Sequence, residues 1–215
     1  LSHTPREAVV LIPGLWIPAW SLWLQARRLR RGGYVVHVFR WRTVRRDFSE
    51  NALALQTFLA TVESPTVHLV GYSLGGILIR ALHHYFPAQR PGRRVTWGAP
   101  HAGSRAAARL ARFALGRLIL GRSIADLLAN KPDGWTPPPA GLGTLAGVFP
   151  CGLGALIARL PRPHDGVVAL DETRCRSAVD SVTLKVSHYT MLWSRAVADQ
   201  TCAFLCHGRF IRGGG

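Results

Sequence analysis

Residues 66–80 constrain this chain more than any other stretch. They read Thr-Val-His-Leu-Val, then Gly71-Tyr72-Ser73-Leu74-Gly75-Gly76, then Ile77-Leu78-Ile79-Arg80. A β-branched run stops at a glycine and a helix-compatible run starts just after the serine, so strand must give way to helix at Ser73. Side chains two positions to either side would collide in so sharp a turn, and Gly71 and Gly75 remove them. The serine hydroxyl then stands at the apex, facing the unpaired N–H groups and positive end of the helix that begins at Leu74. A glycine-rich turn with a capping serine would spell the same letters. Partners elsewhere in the chain separate the two readings.

Strand and helix alternate around this turn. Strands are expected at 8–12, 34–39, 66–70, 94–98, 144–149 and 181–186. Helices are expected at 19–31, from Asp47 or Ser49 to about Val62, at 74–86 before Pro87, and at 191–206. The first of these carries Trp20, Trp23, Leu24 and Leu29 as its apolar members, with a place in the core as one reading of Trp20 and Trp23. This order predicts an α/β fold, a compact and mainly parallel sheet of about six strands with helices on both faces. The 215 residues suit a single domain over 1–215. Within it, 104–140 could form a small inserted cap bearing Arg105, Arg109 and Arg112 and running into a Pro/Gly-rich loop at 132–143.

A hydrophobic content of 48% excludes a disordered chain. Residues 134–158 are long and uncharged, but Pro137, Pro138, Pro139 and Pro150 argue against a membrane-spanning helix. No secretion signal is visible, so a soluble, cytoplasmic protein is expected. Cys151, Cys175, Cys202 and Cys206 lack metal-site or redox spacing and are expected to be buried free thiols; no metal is expected. The net charge is +16, with 25 arginines against Lys131 and Lys185. That surplus would suit an anionic partner, a membrane surface, nucleic acid or an acidic substrate, although the arginines are spread along the chain as on a solvated basic surface. No specific nucleic-acid motif is present.

A serine hydroxyl attacks only when an imidazole takes its proton, and that imidazole needs an acceptor to fix its tautomer. In such a sheet the partners should follow strands, in the order serine, acid, histidine. His188 follows the sixth expected strand and precedes the last helix. His101 and His164 are its rivals; His37 and His68 lie within strands, His83 and His84 along a helix, His3 and His207 near the ends. For the acid, Asp165 in Pro163-His164-Asp165-Gly166-Val167-Val168 is favoured, with Asp171, Glu172 and Asp180 as alternatives, Asp171 first. Two N–H groups should receive a developing oxyanion, those of Leu74 and of Leu15 in the loop after the first strand.

These segments together resemble one family over nearly the whole chain. Ile12-Pro13-Gly14-Leu15-Trp16, the Ser73 turn, Gly98-Ala99-Pro100-His101-Ala102-Gly103-Ser104, Asp165-Gly166-Val167-Val168 and Ser187-His188 are similar, in order, to a bacterial α/β-hydrolase of the lipase/esterase type. The resemblance implies the α/β-hydrolase fold and a Ser73–Asp165–His188 triad cleaving carboxylic esters through an acyl-enzyme, without metal or cofactor. One departure is Pro13, where many relatives carry histidine, so the loop needs another anchor. The chain begins at the family's first parallel strand, which would make it a compact version of the fold.

Leu15, Trp16, Ile17, Trp20 and Tyr72 would give the site an apolar, aromatic rim, with Trp16 and Tyr72 against a small-molecule acyl ester or lipid substrate. A second reading keeps the fold without catalysis, as a module binding anionic membrane or nucleic acid through its basic surface.

Overall fold

The computed structural model describes residues 6–130, 134–135, 141–152, 154 and 158–212. The expectations that fall on His3, on residues 131–133 and 136–140 of the cap and its loop, and on residues 213–215 of the tail lie outside them.

The first half of the chain follows its alternation. β1 (Ala8–Ile12), α1 (Trp23–Arg31), β2 (Val35–Val38), α2 (Phe48–Ala60), β3 (Val67–Tyr72), α3 (Leu74–Tyr85) and β4 (Arg94–Trp97) succeed one another. The short helix α4 (Arg105–Leu110) and α5 (Ala114–Ala129), kinked at Gly121, come next, then β5 (Leu142–Gly147), β6 (Ala178–Leu184) and α6 (Arg195–His207). Every neighbouring pair is parallel, and the sheet order is β2-β1-β3-β4-β5-β6. Having run outward from β1 to β2, the chain returns to the other side of β1 at β3. The topological switch therefore lies between the carboxyl ends of β1 and β3, where such sheets open a crevice.

Two apolar layers hold the sheet. Val10 and Ile12 of β1 pack with Phe48, Leu55 and Leu59 of α2 and Ile77, Leu78 and Leu82 of α3 on one face. Val9 and Leu11 pack with Leu22, Leu29, Trp97, Phe204 and Leu205 on the other. Strands buried on both faces have no polar side, which is why β1 is a continuous apolar run and β3 carries a single imidazole, His68, satisfied by the Glu7 carboxylate and the Arg93 amide. Asp47 caps α2 by accepting from the Glu50 amide, and the Glu50 carboxylate accepts from the Asp47 amide in return.

Several boundaries differ from expectation. β5 begins and ends two residues early, at Leu142 and Gly147. A Cβ at Gly147 would meet the Val186 carbonyl oxygen at 2.4 Å and Met191 Cε at 2.6 Å, so the strand closes on a glycine under crowded neighbours. β6 starts at Ala178 and stops at Leu184, because Val186 N–H turns back to the Leu184 carbonyl. Residues 19–31 are not one helix: a 3-10 turn (Ala19–Leu22) precedes α1. The buried face there is Leu22, Gln25, Ala26 and Leu29, while Trp20 and Trp23 are 72% and 53% exposed, so neither is core. Gln25 is tolerated inside because its amide donates to the Met191 and Ser194 carbonyls. Those carbonyls sit where the expected final helix breaks into a 3-10 turn (Thr190–Leu192) and α6, capped by Ser194.

The four cysteines are free thiols but are not buried. Cys151 and Cys206 are exposed and the other two half-buried. Among the described residues no helix is long and apolar enough to cross a membrane, and no cluster of His, Cys, Asp and Glu could hold a metal ion.

Candidate active site

Ser73 caps α3 at the switch point. Its backbone is left-handed, φ 53° and ψ −121°, a conformation that costs a non-glycine residue free energy and persists only where its surroundings impose it. The Ser73 amide donates to the Trp97 carbonyl at 2.7 Å, tying the turn to β4. A Cβ at Gly71 would strike the backbone of Gly75 and Gly76 within 2.6 Å, and one at Gly75 would strike the Ile12 carbonyl oxygen at 2.2 Å. Both glycines are thus demanded by the packing of the turn, as the sequence implied.

His188 arrives from the loop after β6. Its Nε2 lies 3.0 Å from Ser73 Oγ, and its Nδ1 lies 2.6 Å from Asp165 Oδ2. A carboxylate only accepts, so Nδ1 carries the proton and Nε2 presents its lone pair to the serine hydroxyl. The Asp165 carboxylate is fully buried, and its other oxygen accepts from the Val167 and Val168 amides at 2.9 and 2.7 Å. The loop that holds it turns at Gly166, φ 97°. The His188 amide in turn donates to the Asp165 carbonyl at 2.8 Å, so the two residues are fixed by backbone as well as by side chain.

The rivals are engaged elsewhere. His101 is buried with its Nε2 3.0 Å from Thr96 Oγ1, and His164 Nδ1 accepts from the Gly166 amide. Asp171 forms a two-pronged pair with Arg105 at 2.7 and 2.8 Å. Glu172 accepts from the Arg105 and Ala169 amides, and burial pushes its carboxyl up from the usual range. Asp180 pairs with Arg212 and accepts from the Phe210 amide.

Leu15 and Leu74 both border the cavity in front of Ser73, and their amides make no hydrogen bond to any described residue. The loop after β1 that carries Leu15 is anchored by the Trp41 indole N–H, which donates to the Pro13 carbonyl at 2.9 Å. That contact supplies the anchor which Pro13 cannot supply through a side chain. Trp16, next in the loop, is left-handed with φ 55° and 55% exposed. It stands at the mouth.

Tyr72 lines the same cavity but is no part of its rim. It is 1% exposed, beneath His188, with its ring centroid 5.0 Å from the imidazole and its hydroxyl donating to the His188 carbonyl at 3.0 Å. Burial, with the Asp165 charge nearby, pushes that hydroxyl well above its ordinary pKa, so it stays a donor. Gly98 lies directly after β4, a position that carries no local sign of a part in the site. A Cβ there would lie 3.1 Å from both Asp165 Oδ2 and His188 Nδ1.

The cavity measures about 210 Å³, and its walls are almost wholly apolar: Leu15, Ile17, Leu110, Leu120, Ile124, Val167 and Val168. Leu110, Leu120 and Ile124 belong to α4 and α5, so both helices contribute to the cavity wall. A serine hydroxyl hydrogen-bonded to an imidazole and facing an apolar cavity is an arrangement that can carry out acyl transfer.

The model of the alpha/beta hydrolase family matches residues 9–209. No curated protein matches the chain. Among solved structures, the chain is similar to a Bacillus licheniformis lipase, BlEst2 in mature form, at 22% identity and TM-score 0.68, over 88% of each chain. It is similar to the metagenomic carboxyl esterase MGS0156 at 17% identity and TM-score 0.68, over 87% of this chain and 66% of that one. A type II thioesterase of the yersiniabactin NRPS/PKS pathway, YbtT, aligns at 15% identity and TM-score 0.59 over 95% of each chain. At these identities the likeness is one of fold.

Proposed function

The chain belongs to the alpha/beta hydrolase family, and from that premise we propose that it is a serine hydrolase cleaving carboxylic esters through an acyl-enzyme on Ser73. The observation that carries this reading is the unbroken line Ser73 Oγ, His188, Asp165, with links of 3.0 and 2.6 Å. Ser73 Oγ attacks the ester carbonyl carbon as its proton passes to His188 Nε2, and the carbonyl electron pair moves onto oxygen. The Leu15 and Leu74 amides donate to that oxyanion. One such donor is worth about 3–4 kcal/mol of transition-state stabilisation. Collapse of the intermediate breaks the acyl C–O bond, and His188 gives its proton to the leaving alkoxide. A water then repeats the sequence, freeing the acid and restoring Ser73. Asp165 holds the imidazole in its tautomer and stabilises the imidazolium formed in both halves. The apolar walls around Ser73 suit an acyl chain, which makes the substrate a small-molecule acyl ester or lipid.

Turnover of a p-nitrophenyl ester series of increasing acyl length tests this reading. Saturable hydrolysis that disappears in Ser73→Ala supports it. No hydrolysis at any length, or full hydrolysis by Ser73→Ala, defeats it.

A further inference from the structure

A second groove of about 430 Å³ adjoins the first cavity and shares Trp16 and Ile17 with it. It touches Gly14, where a Cβ would stand 2.9 Å from Ser73 Cβ, so the groove starts within one residue of the nucleophile. Its chemistry is different. Trp20 and Trp41 form aromatic walls, Thr43 adds a hydroxyl, and Arg40 is the single charged residue lining it. The Arg40 guanidinium makes no hydrogen bond or ion pair with any described residue, and no carboxylate lines the groove. Of the other cations near the site's loops, Arg105 holds Asp171 and Arg122 holds Asp47 and Glu50, while Arg42, Arg45 and Arg46 do not line the groove.

Resting on the esterase reading above, we infer that this groove binds the alcohol or thiol half of the substrate, and that this half is anionic, its phosphate or carboxylate received by Arg40. The acyl chain fills the apolar cavity, and the two halves part at Ser73. When the acyl bond to oxygen or sulfur breaks, His188 returns the proton to the departing atom, and the anionic product leaves along the tryptophan walls. The groove offers one unpaired guanidinium, one hydroxyl and flat aromatic faces, which suit a phosphate-bearing leaving group better than a neutral alkyl one. The net charge of +16 raises the local concentration of any such anion.

Two sources share this chemistry, a soluble phosphate-bearing thiol or alcohol and a lipid headgroup, and the experiment separates them. kcat/KM is measured for p-nitrophenyl octanoate, octanoyl-coenzyme A, and lysophosphatidylglycerol in neutral mixed micelles. The proteins are wild type, Arg40→Ala, Arg40→Lys, and Arg174→Ala as an exposed control by the opposite edge of the sheet. The expected result is a fall of about tenfold or more in the ratio of anionic to p-nitrophenyl ester turnover in Arg40→Ala, the size of one charge-assisted hydrogen bond. Arg40→Lys recovers part of it and Arg174→Ala leaves the ratio alone. Preference for the coenzyme A ester identifies the soluble source, and preference for the micellar lipid identifies the headgroup.

Binding is read separately, by tryptophan emission during titration of Ser73→Ala with coenzyme A or glycerophosphoglycerol. Saturable binding that weakens about tenfold or more with Arg40→Ala supports the groove assignment even where no ester is cleaved, in which case only the esterase reading fails. A p-nitrophenyl ester hydrolysed while the ratio and the titrations ignore Arg40 overturns the assignment and leaves the esterase reading standing.

Discussion

The Tyr72 hydroxyl donates to the backbone carbonyl of His188 at 3.0 Å, so the residue before Ser73 holds the residue whose imidazole faces the serine hydroxyl. Both groups are buried, and the tyrosine ring lies beneath the imidazole at 5.0 Å. Tyr72→Phe keeps the ring and removes the bond. The expected cost is about 1–3 kcal/mol of stability, since a buried carbonyl loses its donor. A fall in kcat with KM little changed should accompany it. Urea unfolding and steady-state kinetics measure the two effects, and a variant equal to wild type in both would show that the bond positions nothing.

Gly98 packs closely beneath both Asp165 and His188. Its φ of 55° strains any side chain, and a Cβ would press at 3.1 Å on both Asp165 Oδ2 and His188 Nδ1. Gly98→Ala is expected to lower kcat by about 10- to 100-fold through displacement of the pair. Far-ultraviolet circular dichroism should keep its native shape. An active Gly98→Ala protein would mean that the loops yield at this point.

The acid can be assigned by substitution. Asp165→Asn should cost about four orders of magnitude in kcat with little change in KM, because the amide favours the wrong tautomer of His188. Asp171→Asn touches only the exposed pair with Arg105 and should leave kcat near wild type. The reverse pattern would move the acid to Asp171.

Acid should unfold the protein through its buried imidazoles. Burial, aided by the Arg94 charge, pushes His83 down to about 3, and burial with Arg80 nearby does the same to His101. A histidine lowered in the folded state takes up its proton first in the unfolded chain. Its stabilisation is therefore complete above the ordinary value of 6.5 and is lost as pH falls towards about 3. Two such groups give a slope of roughly 2–3 kcal/mol per pH unit through that window. Asp47 and Asp171, lowered by their hydrogen bonds, add to the loss below the carboxylate range. Denaturant unfolding at about pH 6, 5 and 4 measures the slope, and a flat profile would contradict it.

The sequence carried the parts of the site that backbone geometry demands. Gly71 and Gly75 are glycines because a Cβ would strike backbone, so the turn could be recognised before its partners were known. His188 and Asp165 stood out because each follows a strand and the chain order was right. Side-chain placement was less legible. Tyr72 reads as a rim residue by composition, yet the even alternation of β3 points it under the imidazole. Trp20 and Trp23 read as the apolar face of a helix, but the 3-10 turn rotates them outward and leaves Gln25 inside on borrowed carbonyls. The edges of β5 were set by crowding at Gly147 from residues about 40 positions later, information that no local window holds.

Covalent labelling tests the central claim most directly. After incubation with a fluorophosphonate, intact-protein and peptide mass spectrometry should find a single adduct on Ser73, absent in Ser73→Ala and slow to form in His188→Ala. An unlabelled protein, or an adduct on any other residue with Ser73→Ala still hydrolysing esters, would contradict it.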